Sequence, residues 1–231
     1  MMGSRVPQVD DIYRLPSLHT LPHRWRVRQT ISTLQSLHRH FSTYADVGCA
    51  DGFVTHQIAE ALKTEQTVGF ELQEHVAQAG SEQYPDISFR HWNLTSEAPP
   101  TEKFDLVTCM ETLEHVLDLQ FALKNLLAIT KDTLLITVPV EIGPLGLAKF
   151  GAKVLLRRRV FTGEHRGSKA DYAARLLRGA PISHFRHSPE HGYWTLHTGF
   201  DYRELDAVLR DIDVCFTARN QGWNRLYVVR P

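Results

Sequence analysis

Between residues 42 and 140 the chain alternates short apolar runs with longer stretches of mixed spacing. The runs TYADVG, TVGFEL, DISFRHW, FDLVTCM and TLLITVPV are rich in β-branched and aromatic residues, the composition of strands. Residues 54–63, 73–83 and 118–130 lie between most of them and repeat their apolar positions at helical spacing. Such alternation builds a parallel sheet covered on both faces. Ahead of it a helix is expected over about residues 22–40, with Ile31, Leu34, Leu37 and Phe41 marking its apolar face and Arg24, Arg26 and Arg28 elsewhere. After a long insertion come a helix, DYRELDAVLRD, and two strands near DVCFTAR and NRLYVVR. The short connection between those strands suits an antiparallel hairpin. The expected organisation is a single domain: an N-terminal helical segment 1–41, a core 42–140, an insertion 141–195, and a C-terminal helix and hairpin 196–231.

Composition changes this picture little. A chain of 231 residues, 42% hydrophobic and 23% charged, can bury a full core. Lys plus Arg and Asp plus Glu both number 26, so no overall imbalance points to nucleic acid or to an acidic partner. Cys49, Cys109 and Cys215 are far apart and lack C-x-x-C spacing, which argues against a disulfide framework or a zinc knuckle and fits a reducing cytoplasm. The start, MMGSRVPQVDDIYRLPS, carries early acids and no apolar stretch of signal-peptide length. No later apolar run approaches membrane-spanning length, and no internal repeat or low-complexity tract is present. The expectation is a cytoplasmic protein.

Candidate chemistry begins at ADVGCADGFVT, residues 45–55, where a strand gives way to a helix through a glycine turn. In open α/β sheets ligands bind at the carboxyl ends of strands, where glycines admit close backbone approach and a helix start presents free N–H groups. Gly48 and Gly52 give G-x-x-x-G, with Ala50 between them, whereas dinucleotide cofactors need G-x-G-x-x-G. That disfavours a nicotinamide or flavin. Glu71 ends the next strand about twenty residues on, the place from which a carboxylate takes both hydroxyls of a ribose. A third stretch, FDLVTCMETLEHVLD, runs from a strand into Glu111, Glu114 and His115.

Together these stretches resemble the class I S-adenosylmethionine-dependent methyltransferases, in particular the group acting on small molecules, quinones, sugars and lipids. The resemblance is close over roughly residues 44–140 and loose in the C-terminal strands. It implies a Rossmann-like α/β open sheet, mostly parallel with an antiparallel C-terminal strand, helices on both faces and one helical insertion. It also implies S-adenosyl-L-methionine as cofactor. The DVGCADG loop, with Asp46, Gly48, Cys49, Ala50 and Gly52, would wrap its methionine part, and Glu71 would hold its ribose. Leu72, Asn93, Leu94, Met110 and Glu111 are the further cofactor contacts it implies. Asn93 stands where the family often has an Asp that receives the adenine amino group. Its amide oxygen can accept the same bond, but its NH2 is a donor that Asp lacks. Trp92 either covers the adenine ring or belongs to the core.

METLEHV matches the family stretch that faces the methyl group. The resemblance therefore implies methyl transfer to a small-molecule, glycan or lipid-linked acceptor, at oxygen, with Glu111, His115 and His197 as catalytic candidates. For a hydroxyl acceptor His115 has the chemistry of a general base, and it equally suits a hydrogen bond to its own loop. No residue is assigned as a metal ligand, yet Glu111, Glu114 and His115 stand at i, i+3 and i+4, on one face if the segment is helical. With His197 they resemble the metal site of small-RNA 3'-end methyltransferases, so a metal-dependent RNA 2'-O-methyltransferase is the alternative. A non-catalytic methyltransferase-like binding or partner protein is the other. His197 and Asp201 also suit structural roles, Asp201 as a helix cap.

The insertion is where substrate choice is expected, because loops at strand ends carry specificity. It holds ten Lys or Arg against four Asp or Glu. LGLAKFGAKVLLRRRVF reads as a helix with Leu147, Phe150, Val154 and Leu155 apolar and Lys149, Lys153, Arg157, Arg158 and Arg159 basic. A solvated basic helix, a lid over an anionic acceptor, and contact with an anionic membrane surface all fit that pattern. ISHFRHSPEHGYWTLHTGF fits a pocket wall with Tyr193, Trp194 and His197 near the acceptor, or a loop closed by aromatic packing. His184, His187 and His191 show no zinc-ligand spacing. Cys49 suits a small residue in a tight turn.

Overall fold

The computed structural model describes residues 21–156, 168–186, 193 and 197–231. The helices are α1 (Leu21–Ser36), α2 (Phe53–Leu62), α3 (Glu74–Gln83), α4 (Leu119–Ala128), α5 (Gly143–Leu155), α6 (Lys169–Arg178) and α7 (Tyr202–Asp211). The strands are β1 (Thr43–Val47), β2 (Gln66–Glu71), β3 (Ser88–His91), β4 (Phe104–Met110), β5 (Thr130–Pro139), β6 (Cys215–Gln221) and β7 (Asn224–Arg230). They form one seven-stranded sheet in the order β3-β2-β1-β4-β5-β7-β6, mostly parallel with an antiparallel C-terminal strand. This is the expected Rossmann-like arrangement.

Parallel pairing fixes the site. Thr43 to Val47 of β1 pair in register with Gln66 to Phe70 of β2, and Tyr44 to Asp46 pair with Leu106 to Thr108 of β4. β1 thus lies between β2 and β4, where the strand order reverses, and such a switch point opens a crevice at the strand ends. Strands covered on both faces read as unbroken apolar runs. β4 shows this, with Phe104, Leu106, Val107, Thr108 and Cys109 all buried.

The leading helix differs from expectation. α1 ends at Ser36, four residues early, and His38 turns into the left-handed region just beyond it. Its buried positions are Val27, Thr30, Thr33 and Leu34 rather than Ile31 and Leu37, while Phe41 is buried from the loop that follows. The core therefore takes two threonines from this helix, a choice no apolar count signals. Trp92 resolves as core: it is 5% exposed, meets Phe70 edge-on and donates its indole N–H to the Ala98 carbonyl.

The described residues fall into two compact units. One takes in the chain up to Met110 with Asn125–Leu135 and Arg230–Pro231, and the other Glu111–Lys124 with Ile136–Val229.

In the second unit α5 and α6 pack over a core of Ile142, Tyr172, Leu176, Ile182 and Phe185, joined by Leu147 and Phe150. The basic helix ends at Leu155, and its two faces are sorted differently from the expected pattern. Val154 and Leu155 are exposed, while Lys149 and Lys153 turn to the buried Glu141, at 3.1 and 3.5 Å. α5 lies so close to Glu141 that a Cβ at Gly146 would sit 2.2 Å from its carbonyl oxygen. Two of the five cations in that stretch are thereby committed to one carboxylate. Arg157, Arg158, Arg159, His187, His191 and Trp194 lie outside the described residues. Among the described residues no helix is long and apolar enough to cross a membrane.

Candidate functional site

In the first unit, the loop after β1 is shaped by three left-handed residues at alternate positions. Gly48, Ala50 and Gly52 have φ of 79°, 49° and 80°, while Cys49 and Asp51 between them do not enter that region. Alternation of this kind folds the loop into a tight turn whose amides are spent on protein acceptors. The loop is tied to β2, because the Gly48 and Cys49 amides both donate to the Phe70 carbonyl, at 2.8 and 3.1 Å. Gly52 then starts α2 with no side-chain cap. Its lack of a side chain is required twice, by its φ and by the Phe89 ring, which a Cβ there would meet at 2.3 Å.

Glu71 has a structural role of its own. It is nearly buried, and its two oxygens accept from the Ala50 and Gln73 amides, each at 3.0 Å. The carboxylate at the expected ribose position therefore also holds the glycine loop in shape. Asp46 serves the scaffold as well. It is buried and accepts from Thr55 at 2.6 Å and Thr108 at 2.7 Å, linking β1 to α2 and β4. Burial holds its carboxyl above the ordinary range, against the pull of those two hydrogen bonds. Cys49 is buried in the turn, and burial with the acids around it pushes its thiol well up, as for an inert packing residue. Asn93 uses its amide oxygen locally, accepting from the Thr95 amide and hydroxyl at 3.1 and 2.9 Å. Leu72 is exposed, Leu94 buried and Met110 half-buried.

In the second unit, the segment after β4 is not a helical face. Glu111 leaves the strand with φ of 54°, and residues Leu113–His115 make a single 3-10 turn. The i, i+3, i+4 expectation therefore fails for Glu111, since it presumed continuous helix. Instead Glu111 is held by β5 and β7. Its amide donates to the Thr137 carbonyl at 2.8 Å, and its Oε1 accepts from Thr137 Oγ1 at 3.2 Å and Asn224 Nδ2 at 2.6 Å.

The same turn brings together the other three candidates. Glu114, His115 and His197 offer ligand atoms that all lie within 4.8 Å of one another. Glu114 is fully buried, both imidazoles are half-buried, and His197 Nε2 stands 3.7 Å from Glu114 Oε1. Arg186 of the insertion donates to the Glu114 carbonyl at 3.2 Å and lies over the Phe200 ring. Burial lowers its guanidinium from the usual value, while Glu204 and Glu114 counteract that. His197 reaches the cluster because residues 198–199 turn sharply before α7, where Asp201 caps the helix as expected by accepting the Arg203 amide. Tyr193 is half-buried, and His184 packs beside Phe185 near Asp171.

Thr137, Arg186 and Asn224 are the contributors that sequence reasoning does not find. They lie 26, 72 and 113 positions from their partners, in segments with no motif of their own.

Comparison with known proteins matches residues 45–133 to the family described as Methyltransferase domain. Ubiquinone biosynthesis O-methyltransferase of Coxiella burnetii (strain Dugway 5J108-111) is 28% identical over 121 residues, 51% of this chain and 50% of the relative. The chain thus spans about half the length of the curated relatives it matches. Among solved structures, magnesium protoporphyrin IX methyltransferase from Synechocystis PCC 6803 with bound SAH has a TM-score of 0.58 at 14% identity, over 99% of this chain and 90% of that one. The methyltransferase domain of bacterial CtHen1-CN has a TM-score of 0.57 at 13% identity, over 89% and 97%. At such identities the structural likeness is one of fold.

Proposed function

Because this chain carries a class I S-adenosylmethionine-dependent methyltransferase domain, we propose that it moves the donor's methyl group to an oxygen of a small-molecule, glycan or lipid-linked acceptor. The observation that carries this reading is the loop after β1, with its left-handed residues and its bond from the Ala50 amide to Glu71. A tight glycine turn that admits close approach of a ligand, beside a carboxylate at the end of the next strand, fits a ligand with an amino-acid tail and a ribose. Gly48, Cys49, Ala50 and Gly52 would take the tail, Glu71 the ribose hydroxyls, and Leu72, Asn93 and Leu94 the adenine. The bound donor supplies an electrophilic methyl on a sulfonium. What the chain then has to do is orient the acceptor and exclude water. A hydroxyl acceptor must also lose its proton, and the imidazoles of His115 and His197 are the groups suited to take it.

Calorimetric titration with S-adenosylmethionine and S-adenosylhomocysteine tests the reading. Saturable binding is expected, weakened in Glu71→Ala by about 1–3 kcal/mol because ribose hydroxyls lose their acceptor. Since Glu71 also supports the loop, a melting curve of the variant separates lost contacts from lost loop order. If the wild type binds neither compound, the methyl-donor reading is overturned. Donor binding without turnover across hydroxylated aromatic, glycan and lipid-linked acceptors would favour a binding or partner role.

One observation favours a second reading, in which turnover needs a divalent cation. The close grouping of Glu114, His115 and His197 is a two-histidine, one-carboxylate donor set of the kind first-row metals accept. Those residues would hold the ion, which would supply Lewis-acid assistance to the acceptor oxygen, whether on a small molecule or an RNA ribose. Activity that survives dialysis against a chelator favours proton transfer by the imidazoles. Activity lost on dialysis and restored by manganese or magnesium favours the cation, and strong salt dependence of binding would point to RNA.

A further inference from the structure

Residues 21–45 hold four Arg and three His and neither Asp nor Glu, in a chain whose acidic and basic residues are equal in number. The helix α1 sorts this segment by face. Val27, Thr30, Thr33 and Leu34 are buried, while Arg24, Trp25, Arg28, Ser32 and Gln35 are exposed and fall on the opposite side at helical spacing. Two features of that outer face work against the helix itself. Arg24 stands in the first turn, where the backbone already presents partial positive charge, and the last turn, where a cation would be favoured, has none. Arg24 and Arg28 are also four positions apart, so two like charges are neighbours on the helix surface.

Arg39, just beyond the helix, finds Asp132 at 3.7 Å, whereas Arg24 and Arg28 make no ion pair among the described residues. Cations placed at a cost to their own helix and left to water point to an anionic partner outside the chain. The neighbouring side chain narrows its kind. Trp25 lies three positions before Arg28, hence beside it on the helix surface, and is 41% exposed. Arginine beside tryptophan suits a membrane–water interface, where the indole sits at headgroup level and the cations meet lipid phosphates. Single-stranded nucleic acid is held differently, in a charged groove with successive aromatic platforms. The outside of a helix is convex, and α1 contains one Trp and no Phe or Tyr, so it fits a broad anionic surface better than a strand.

We propose that the outer face of α1 docks the protein on an anionic lipid surface, with Arg24 and Arg28 on headgroup phosphates and Trp25 at their level. The proposal goes beyond the methyl-transfer reading and does not depend on it.

The test is sedimentation of the full chain, without methyl donor, with vesicles of phosphatidylcholine alone and of phosphatidylcholine mixed with phosphatidylserine. Binding to the mixed vesicles at low salt is expected, with little to phosphatidylcholine alone and a steep loss at high salt. Arg24→Gln/Arg28→Gln should weaken it by about fivefold for each charge removed, about 25-fold together. That variant should melt no lower than the wild type, because it removes a like-charge pair and a cation at the positive end of the helix. Arg24→Lys/Arg28→Lys keeps the charges and should keep the binding. Tryptophan emission should shift to the blue when mixed vesicles are added, and most of that shift should vanish in Trp25→Phe. A wild type that ignores the mixed vesicles would overturn the proposal, and so would unchanged binding in the glutamine variant or an undiminished shift in Trp25→Phe. Capture of a single-stranded RNA oligonucleotide in place of the vesicles, lost in the glutamine variant, would overturn it in favour of nucleic acid.

Discussion

The glycine loop after β1 and the turn after β4 are built in opposite ways. The loop closes on neighbours: its amides reach Phe70 and Glu71, about twenty residues on and at the end of the adjacent parallel strand. The turn depends on distant parts of its unit, on Thr137, Arg186, His197 and Asn224, and even its backbone is held by a carbonyl 26 residues away. A turn held by backbone bonds can be compact in sequence because strand register already sets its geometry. A site made of side chains has to be gathered by the whole unit.

Three substitutions would sharpen that contrast, from the largest effect to the smallest. Gly52→Ala should be the most damaging. It forces a side chain into the left-handed region and against the Phe89 ring, for about 3 kcal/mol in all, seen as a lower melting temperature and lost donor binding. Pairing it with Phe89→Ala should recover part of the binding, and no recovery would place the damage in the backbone alone. Glu141→Gln comes next, at about 2 kcal/mol, since Lys149 and Lys153 lose a buried carboxylate. Donor titration should be unaffected, as expected if α5 serves the second unit. A matching loss of donor affinity would break the contrast between the regions.

Thr55→Val should cost about 1–2 kcal/mol in stability at neutral pH by removing one of the two hydroxyls that Asp46 accepts. Its pH dependence has a definite sign. Burial already raises the Asp46 carboxyl above its unfolded value, so the folded form holds the proton more readily and stability falls as pH climbs from the ordinary carboxylate range through the raised one. The variant raises it further. Its deficit in urea unfolding should therefore be smallest in acid and grow as pH rises through that window. A deficit independent of pH would show that Thr55 acts through packing.

Much of the fold is legible in the sequence where one segment decides its own fate. FDLVTCM becomes β4 without a residue's shift, because a run buried on both faces admits no other register. α6 carries equally plain marks that apolar spacing alone overlooks: Ser168 accepts the Asp171 amide at its start and Gly179 turns left-handed at its end, as short helices commonly begin and finish. α5 misleads for a physical reason. Apolar and basic positions alternate along it, and only the buried Glu141 decides that Lys149 and Lys153 turn inward while Val154 and Leu155 face water. The candidate residues divide in the same way. Gly48, Gly52 and Glu71 are recognisable from spacing, and Asp46 is too, although its carboxylate serves Thr55 and Thr108. Nothing along the chain marks Asn224, which meets Glu111 only because β7 starts beside it.

Phe89 links positions that look independent along the chain. Its ring fills the space that side chains at Gly52 and Gly80 would claim, at 2.3 and 2.6 Å from where their first carbons would stand. The three positions therefore cannot drift separately over evolutionary time. A lineage that enlarges residue 80 has to shrink residue 89 first, and only that smaller ring would let the turn at residue 52 explore other amino acids. The freedom of this loop to diverge is governed from a strand that touches no proposed ligand.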